Sequence, residues 1–317
     1  MMAISAIDWW VLVEPCDTFV DHVAGGAPGL FELEHTTDGG ATFSSVSLPS
    51  TLGQYDTAPQ VEFADDSNGW IAGWATHDGG QQWNQLPVDI TQLEPGASGW
   101  VYAVTTHVIN AYQFTWDVHR AQADSDDWSN VLSIPGHAAS GPLVIAVYGS
   151  TLWVMDLSAQ GGLWVSDDGG ATFTVATRPC PSPNGGNDEL DAVSDTVIWA
   201  YCTDASGTGY PLVSTDAGRS WRTGAFSGSN SGLIAGISAQ MAFVAADGLW
   251  RTDNGGATFP SIPAWSSSTM WIGFSSSTVG CAIVSDPQIA TEPWRTQLWC
   301  SSDGGVQWTM LHFEGQG

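Results

Sequence analysis

The sequence predicts an all-β fold, a seven-bladed β-propeller whose blades are four-stranded antiparallel sheets, and three observations predict it. A phrase of the form [Ser/Thr]-x-[Asp/Asn]-x-Gly-x-x-[Phe/Trp] occurs six times, at Thr36 to Phe43, Thr76 to Trp83, Ser166 to Phe173, Ser214 to Trp221, Thr252 to Phe259 and Ser301 to Trp308. Its copies are regularly spaced, and a repeat of fixed period marks one supersecondary unit that buries its apolar face only by stacking on its neighbours. Between copies the apolar positions keep a period of two, broken by Gly, Asp and Ser, which is strand-and-turn patterning with no room for helices.

The spacing counts the units. The acidic or amide positions are Asp38, Asp78, Asp168, Asp216, Asn254 and Asp303, with steps of 40, 90, 48, 38 and 49. The step of 90 is twice the others, so one unit has lost its phrase. Between Trp116 and Leu132 a strand-turn-strand pattern persists, with Asp124, Asp126, Asp127 and Trp128 where a degenerate copy would fall. Seven units of about 45 residues match four short strands and their turns per blade. They run through one domain, 1–317, with blades near 1–50, 51–88, 89–135, 136–180, 181–227, 228–264 and 265–317.

The sixth unit shows the plan with least distortion: strands at Leu233 to Ile237, Met241 to Ala246, Gly248 to Thr252 and Thr258 to Ile262. The fifth follows with Leu190 to Val193, Val197 to Tyr201, Leu212 to Ser214 and Trp221 onward. In the second, Trp70 to Thr76 (WIAGWAT) leads almost directly into the phrase, which predicts a shortened middle hairpin.

Within each phrase the Gly-Gly or Ala-Gly pair permits the positive φ of a tight turn between third and fourth strands. The Asp carboxylate, or the amide oxygen of Asn254, accepts N–H groups of that turn, and the Ser/Thr adds a local bond. The closing Phe or Trp plugs the space between adjacent sheets. Asp38, Asp78, Asp168, Asp216, Asn254 and Asp303 are thus expected to be turn clasps on separate blades, not a shared metal or substrate array. At ring closure the first and seventh sheets are expected to meet without exchanging a strand, with Trp308 and Trp9 or Trp10 cementing the seam.

Composition bounds the partners. The chain has 33 acidic residues, six arginines, no lysine and a net charge of -27. Such a surface repels phosphate backbones and anionic lipid, which argues against nucleic-acid binding. Solubility explains the charge most simply; calcium binding and salt adaptation are the alternatives. No apolar run approaches the roughly 18 residues of a membrane span, so no membrane insertion is expected. Of five cysteines, Cys281 and Cys300 lie on successive strands where they could face each other, and Cys180 and Cys202 flank a Pro/Gly-rich loop. Each bridge would close about 20 residues, worth roughly 3 kcal/mol in the chain-entropy model, and such usage favours an extracytoplasmic or secreted protein. Cys16 is left over. The opening MMAISAIDWWVLV lacks a basic start and a cleavage site, so an export signal is expected to lie outside this sequence.

On these residues the phrase resembles the Asp-box, or BNR repeat, of sialidases, other glycoside hydrolases, sortilin-type receptors and photosystem II assembly factors of the Ycf48 kind. The segment Val61 to Trp83 is similar to the unit of that last group. The resemblance implies a propeller and leaves function open, because its families include enzymes and pure binders. A sialidase would need three converging arginines. Of Arg120, Arg178, Arg219, Arg222, Arg251 and Arg295, only Arg178 and Arg295 fall in loops expected to reach the mouth face, opposite the turn phrases. Serine replaces arginine in the nearest echoes of the sialidase Arg-Ile-Pro phrase, Ser133-Ile134-Pro135 and Ser261-Ile262-Pro263.

The mouth face is where a ligand is expected. Its predicted loops hold the aromatics Tyr55, Tyr112, Tyr210, Trp265 and Trp294 beside Asp56, Asp188, Glu189, Asp204, Glu292 and Arg295, and the histidines His22, His107 and His137. Aromatic faces beside carboxylates and amides are what sugar rings stack on and hydrogen-bond to, although the same aromatics also serve to cap blade ends. The binding candidates are therefore Tyr55, Asp56, His107, Tyr112, His137, Asp204, Tyr210, Trp265, Glu292, Trp294 and Arg295. No Walker loop, CxxC site, nucleophile elbow or H-x-x-x-H spacing occurs, so no cofactor and no metal are expected and no catalytic residue can be named. The expected protein is a monomer that recognises a glycan or a protein ligand. A glycoside hydrolase or polysaccharide lyase is the alternative, and an assembly factor the third reading.

Overall fold

The computed structural model describes residues 2–3, 5, 7–13, 31–49, 52, 59–86, 90–96, 98–110, 113–137, 142–158, 161–180, 188–229, 232–262, 268–285 and 296–311. They form seven antiparallel sheets in chain order, with strands within residues 2–46, 61–85, 90–137, 143–176, 189–223, 233–252 and 269–311. Every sheet is a simple meander from its innermost to its outermost strand, and no α-helix occurs among the described residues. Each sheet starts and ends within its own segment, the first and the seventh included, so no strand is exchanged at ring closure among the described residues.

The repeated phrase forms the corner between third and fourth strands by one hydrogen-bond pattern. In the second blade the Thr76 hydroxyl donates to Asp78 (2.9 Å) and accepts the Gly80 N–H (2.8 Å), while Asp78 accepts the Gln82 N–H (2.8 Å). The other five copies repeat it, with Asn254 serving through its amide oxygen. One further bond ties the corner to the turn between first and second strands of the same blade. Gly39, Gly79, Gly169, Ala217, Gly255 and Gly304 donate their N–H to the carbonyls of Ile7, Ser67, Ser150, Thr196, Gln240 and Thr278 at 2.8–2.9 Å. In the third blade, which lacks the phrase, Ala123 makes the equivalent bond to Gly99 (2.9 Å), so the missing unit keeps its corner.

Seven apolar clusters fill the seven seams, and each contains the closing aromatic of the later blade. Phe43 lies at the seam of blades seven and one, Trp83 at one and two, Trp128 at two and three, and Phe173 at three and four. Trp221, Phe259 and Trp308 serve the remaining three. The second glycine of the phrase faces the same way. A Cβ on Gly40 would stand 2.7 Å from Leu311 of the seventh blade, and one on Gly218 2.9 Å from Leu163 of the fourth.

This directionality corrects the expected closing seam. Trp308 packs backwards on Phe243 and Phe274, between blades six and seven. Trp10 is sandwiched between His35 and Phe63 at 3.8 Å from each, between blades one and two. At the closing seam Trp9 and Val11 meet Cys281, Leu298, Cys300 and Leu311, with Phe43 as the plug. Both expected disulfides are present. Cys281 and Cys300 are direct cross-strand partners at that seam, and Cys180 joins Cys202 across the fourth and fifth blades. Cys16 lies outside the described residues.

Two blades depart from plan. The sixth, expected to be the least distorted, has three strands, and a lone bridge between Trp250 and Ser261 stands in for the fourth. Pro260 beside that bridge explains this, since proline has no N–H to give to a ladder. The third blade carries a long middle hairpin, Trp100–Asn110 against Gln113–Gln122, whereas the second turns in two residues, Ala72 and Gly73, both at positive φ.

Gly40→Ala should lower stability by about 1–3 kcal/mol, because it adds a clash across the closing seam to the strain of positive φ. Gly207→Ala, also at positive φ but with nothing within 4 Å, should cost about 1 kcal/mol or less. Chemical denaturation of the two variants beside wild type checks the difference.

Candidate functional site

The innermost strands are edge strands, and their outer backbone groups need partners. Three of them share an alternating pattern: Gln60-Val61-Glu62-Phe63, Gln92-Leu93-Glu94-Pro95 and Glu189-Leu190-Asp191-Ala192. Strand period two turns Val61, Leu93 and Leu190 toward the preceding blade and the polar residues between them toward the innermost strand of the next. Gln92 reaches the next blade, taking the Ile145 N–H on its oxygen and giving an N–H to the Ile145 carbonyl, both at 3.1 Å. Glu189 and Asp191 do the same for the sixth blade, accepting the N–H groups of Ile234 (3.1 Å) and Gly236 (2.5 Å). Gln60 donates to Glu62 at 2.8 Å and Gln92 to Glu94 at 3.3 Å.

The innermost strands therefore carry the half-buried carboxyls Glu62, Glu94, Glu189 and Asp191 among the described residues. Desolvation dominates their titration. It pushes Glu62 up to about 7 against the Gln60 bond, and Asp191 up to about 7 against the Gly236 bond. Glu189 also reaches about 7, with Asp191 adding repulsion, and Glu94 rises well above the usual range from burial and then from Glu62.

Beside Glu62 a cavity of 220 Å³ opens at the mouth end of the seam between blades two and three. Trp70, Ile90 and Leu93 provide apolar walls, Gln60 and Glu62 the polar inner end, and Thr91 the rim. It exists because the second blade's middle turn is cut to Ala72-Gly73. A second cleft, of 370 Å³, lies on the corner face between blades four and five, and its polar groups are engaged with one another, as Thr151 is with Asp195 and Ser150 with the Asp167 carbonyl.

The expected binding residues fare unevenly. Tyr55, Asp56, Tyr112, Trp265, Glu292, Trp294 and Arg295, with His22, lie outside the described residues. His107 and His137 were expected in loops, but both sit in strands of the third blade, Trp100–Asn110 and Ser129–His137, because Val, Thr and Ile extend that ladder; the His107 side chain is exposed. Glu189 was expected in a mouth loop and belongs instead to an innermost strand. Asp204 closes its own turn, accepting the N–H groups of Ser206 (2.8 Å) and Thr208 (3.0 Å), and these bonds with the Ser206 hydroxyl hold its carboxyl below the usual range.

Tyr210 is half-buried beside the Cys180–Cys202 bridge; burial, then Asp188 and Asp204, raise its phenol. Near it Asp188 is 2% exposed and bonded through one oxygen to the Thr203 N–H, with the other oxygen unpartnered. Arg178 spans the mouth edge of the fourth blade, donating to the carbonyls of Ser158 (2.7 Å) and Gly161 (3.3 Å). The other described arginines lie toward the corner face, as Arg120 does in bonding the Gly169 carbonyl and stacking on Trp100. Among the described residues no group of three or more His, Cys, Asp or Glu side chains is placed to hold a metal ion. Glu62, Glu94 and Asp191 were missed at the sequence level, where their signal was the [Gln/Glu]-apolar-[Glu/Asp]-apolar pattern of three innermost strands.

No family model and no curated protein matches the chain. Solved structures do. YCF48 from Cyanidioschyzon merolae aligns over 85% of this chain and 88% of its own, at 15% identity and a TM-score of 0.54. A structure described as YCF48 bound to D1 peptide aligns over 89% of this chain and 96% of its own, at 18% identity and 0.56. The fucose-specific lectin from Aleuria aurantia aligns over 98% and 91%, at 14% and 0.48. At these identities the likeness establishes the propeller architecture alone.

Stability should peak near pH 4–5. The channel carboxyls bind protons more tightly folded than unfolded, so their stabilising effect is lost as pH rises through about 7, at about 1–3 kcal/mol per group. The corner carboxyls Asp38, Asp168 and Asp216 are held at about 2, first by the hydroxyls of Thr42, Thr172 and Ser220, so theirs is lost as pH falls from about 4 toward 2. Thermal melts from pH 3 to 9 test this; Glu62→Gln/Glu189→Gln/Asp191→Asn should flatten the limb above pH 5 and leave the acid limb.

Proposed function

We propose that the chain is a non-catalytic recognition module, an Asp-box propeller working outside the cytoplasm, whose mouth face binds a glycan. The notch between the second and third blades carries this reading. It offers a site with apolar walls and one polar end, the general make-up of a small-molecule pocket, in which few polar groups fix orientation. The two disulfides support an oxidising compartment. The net charge of -27 argues against a polyanionic partner.

One observation favours a second reading, a carbohydrate-active enzyme. Glu62 and Glu94 repel each other and are kept protonated toward neutral pH, the state in which a carboxyl acts as a general acid. A glycan array combined with reducing-end release assays on the same sugars separates the two. Retention of a glycan without release is the expected result; release that is lost in Glu94→Gln would favour the enzyme, and an array with no retained sugar would remove the glycan reading.

A further inference from the structure

The notch has a chemical bias that narrows its ligand. Its apolar walls come from Trp70 on one blade and Ile90 and Leu93 on the next, and its inner end is the Gln60–Glu62 pair. An apolar cavity of about 150 Å³ takes a benzene ring, so 220 Å³ accommodates one six-membered ring with substituents. Among the described residues no Lys or Arg lines it. Behind Glu62 stands Glu94, which repels it through the channel. Thr91 at the rim gives its hydroxyl to the Val104 carbonyl, which leaves Glu62 and Gln60 as the polar end a ligand meets.

An anionic sugar therefore finds no cationic partner among the described lining residues, and a neutral one offers Glu62 no counter-charge. A protonated amine beside Glu62 would offset the repulsion from Glu94 and stabilise its charged form. Resting on the glycan reading above, we propose that the notch is a subsite for a sugar ring bearing a free amine, a 2-amino-2-deoxyhexose unit. The ring packs between the apolar walls and its ammonium pairs with the Glu62 carboxylate.

The test titrates the full chain by calorimetry at pH 6 with four hexamers: glucosamine, N-acetylglucosamine, cellohexaose and hexalysine. The hexalysine arm measures diffuse attraction of any polycation to an acidic chain. The glucosamine hexamer should bind at least tenfold more tightly than the other three. Glu62→Gln should weaken it about tenfold, and Thr91→Trp, which fills the notch from an exposed position without changing charge, should abolish it; both variants are confirmed as folded by their melting transitions. Equal affinity for glucosamine and N-acetylglucosamine hexamers, hexalysine binding as tight as glucosamine, or unchanged binding in folded Thr91→Trp would each overturn the subsite. If an array retains some other glycan and neither variant affects it, the subsite is wrong while the glycan reading stands; if no glycan binds at all, both fall.

Discussion

The structure depends on one contact, made in full by the six blades that carry the phrase and by Trp128 alone in the third: the corner of each blade presses backward on the blade before it. A bare glycine Cα admits the neighbouring sheet, the closing aromatic fills the remaining gap, and a side-chain clasp holds both in place. Gly40 against Leu311 and Phe43 among Trp9, Leu298 and Leu311 make this contact where the chain ends meet. Among the described residues ring closure thus uses no exchanged strand, because the first and seventh blades are joined by the same device as the other phrase-bearing blades. The Cys281–Cys300 bridge lies within that cluster and ties together two strands of the last blade there.

Such an arrangement creates a problem at its centre. Packing the sheets radially leaves every innermost strand as an edge with unpaired backbone groups, and unpaired buried groups are costly. Side chains from the preceding blade supply the partners, an amide for Ile145 and carboxyls for Ile234 and Gly236. One consequence is an acidic, partly dehydrated channel. The other is that Glu62, held by Gln60, comes to face a notch left open by a truncated turn.

The fold was largely legible because its determinants are local. The phrase sets φ, closes its own hydrogen bonds and places an aromatic at a fixed offset, so seven corners could be counted from residues alone, even where Trp128 and Ala123 remain from a degraded copy. The functional surface was much less so. Asp204 looked like a ligand residue and serves its own turn, while His107 and His137 looked like loop residues and extend a ladder. The channel pattern QVEF, QLEP and ELDA was visible as alternation, but alternation does not say which face of a strand looks into a channel.

Sequence by itself determined the strand-and-turn grammar, the number of blades and both disulfide pairs, since each follows from interactions within about one repeat. The tertiary structure decided the direction in which each corner packs, which moved Trp308 from the closing seam to the one before it. It also decided which carboxyls meet across the ring and where a short turn beside a long hairpin leaves a cavity. Those features join residues on different blades, and their distances are fixed by the closed ring and by no local preference of the chain.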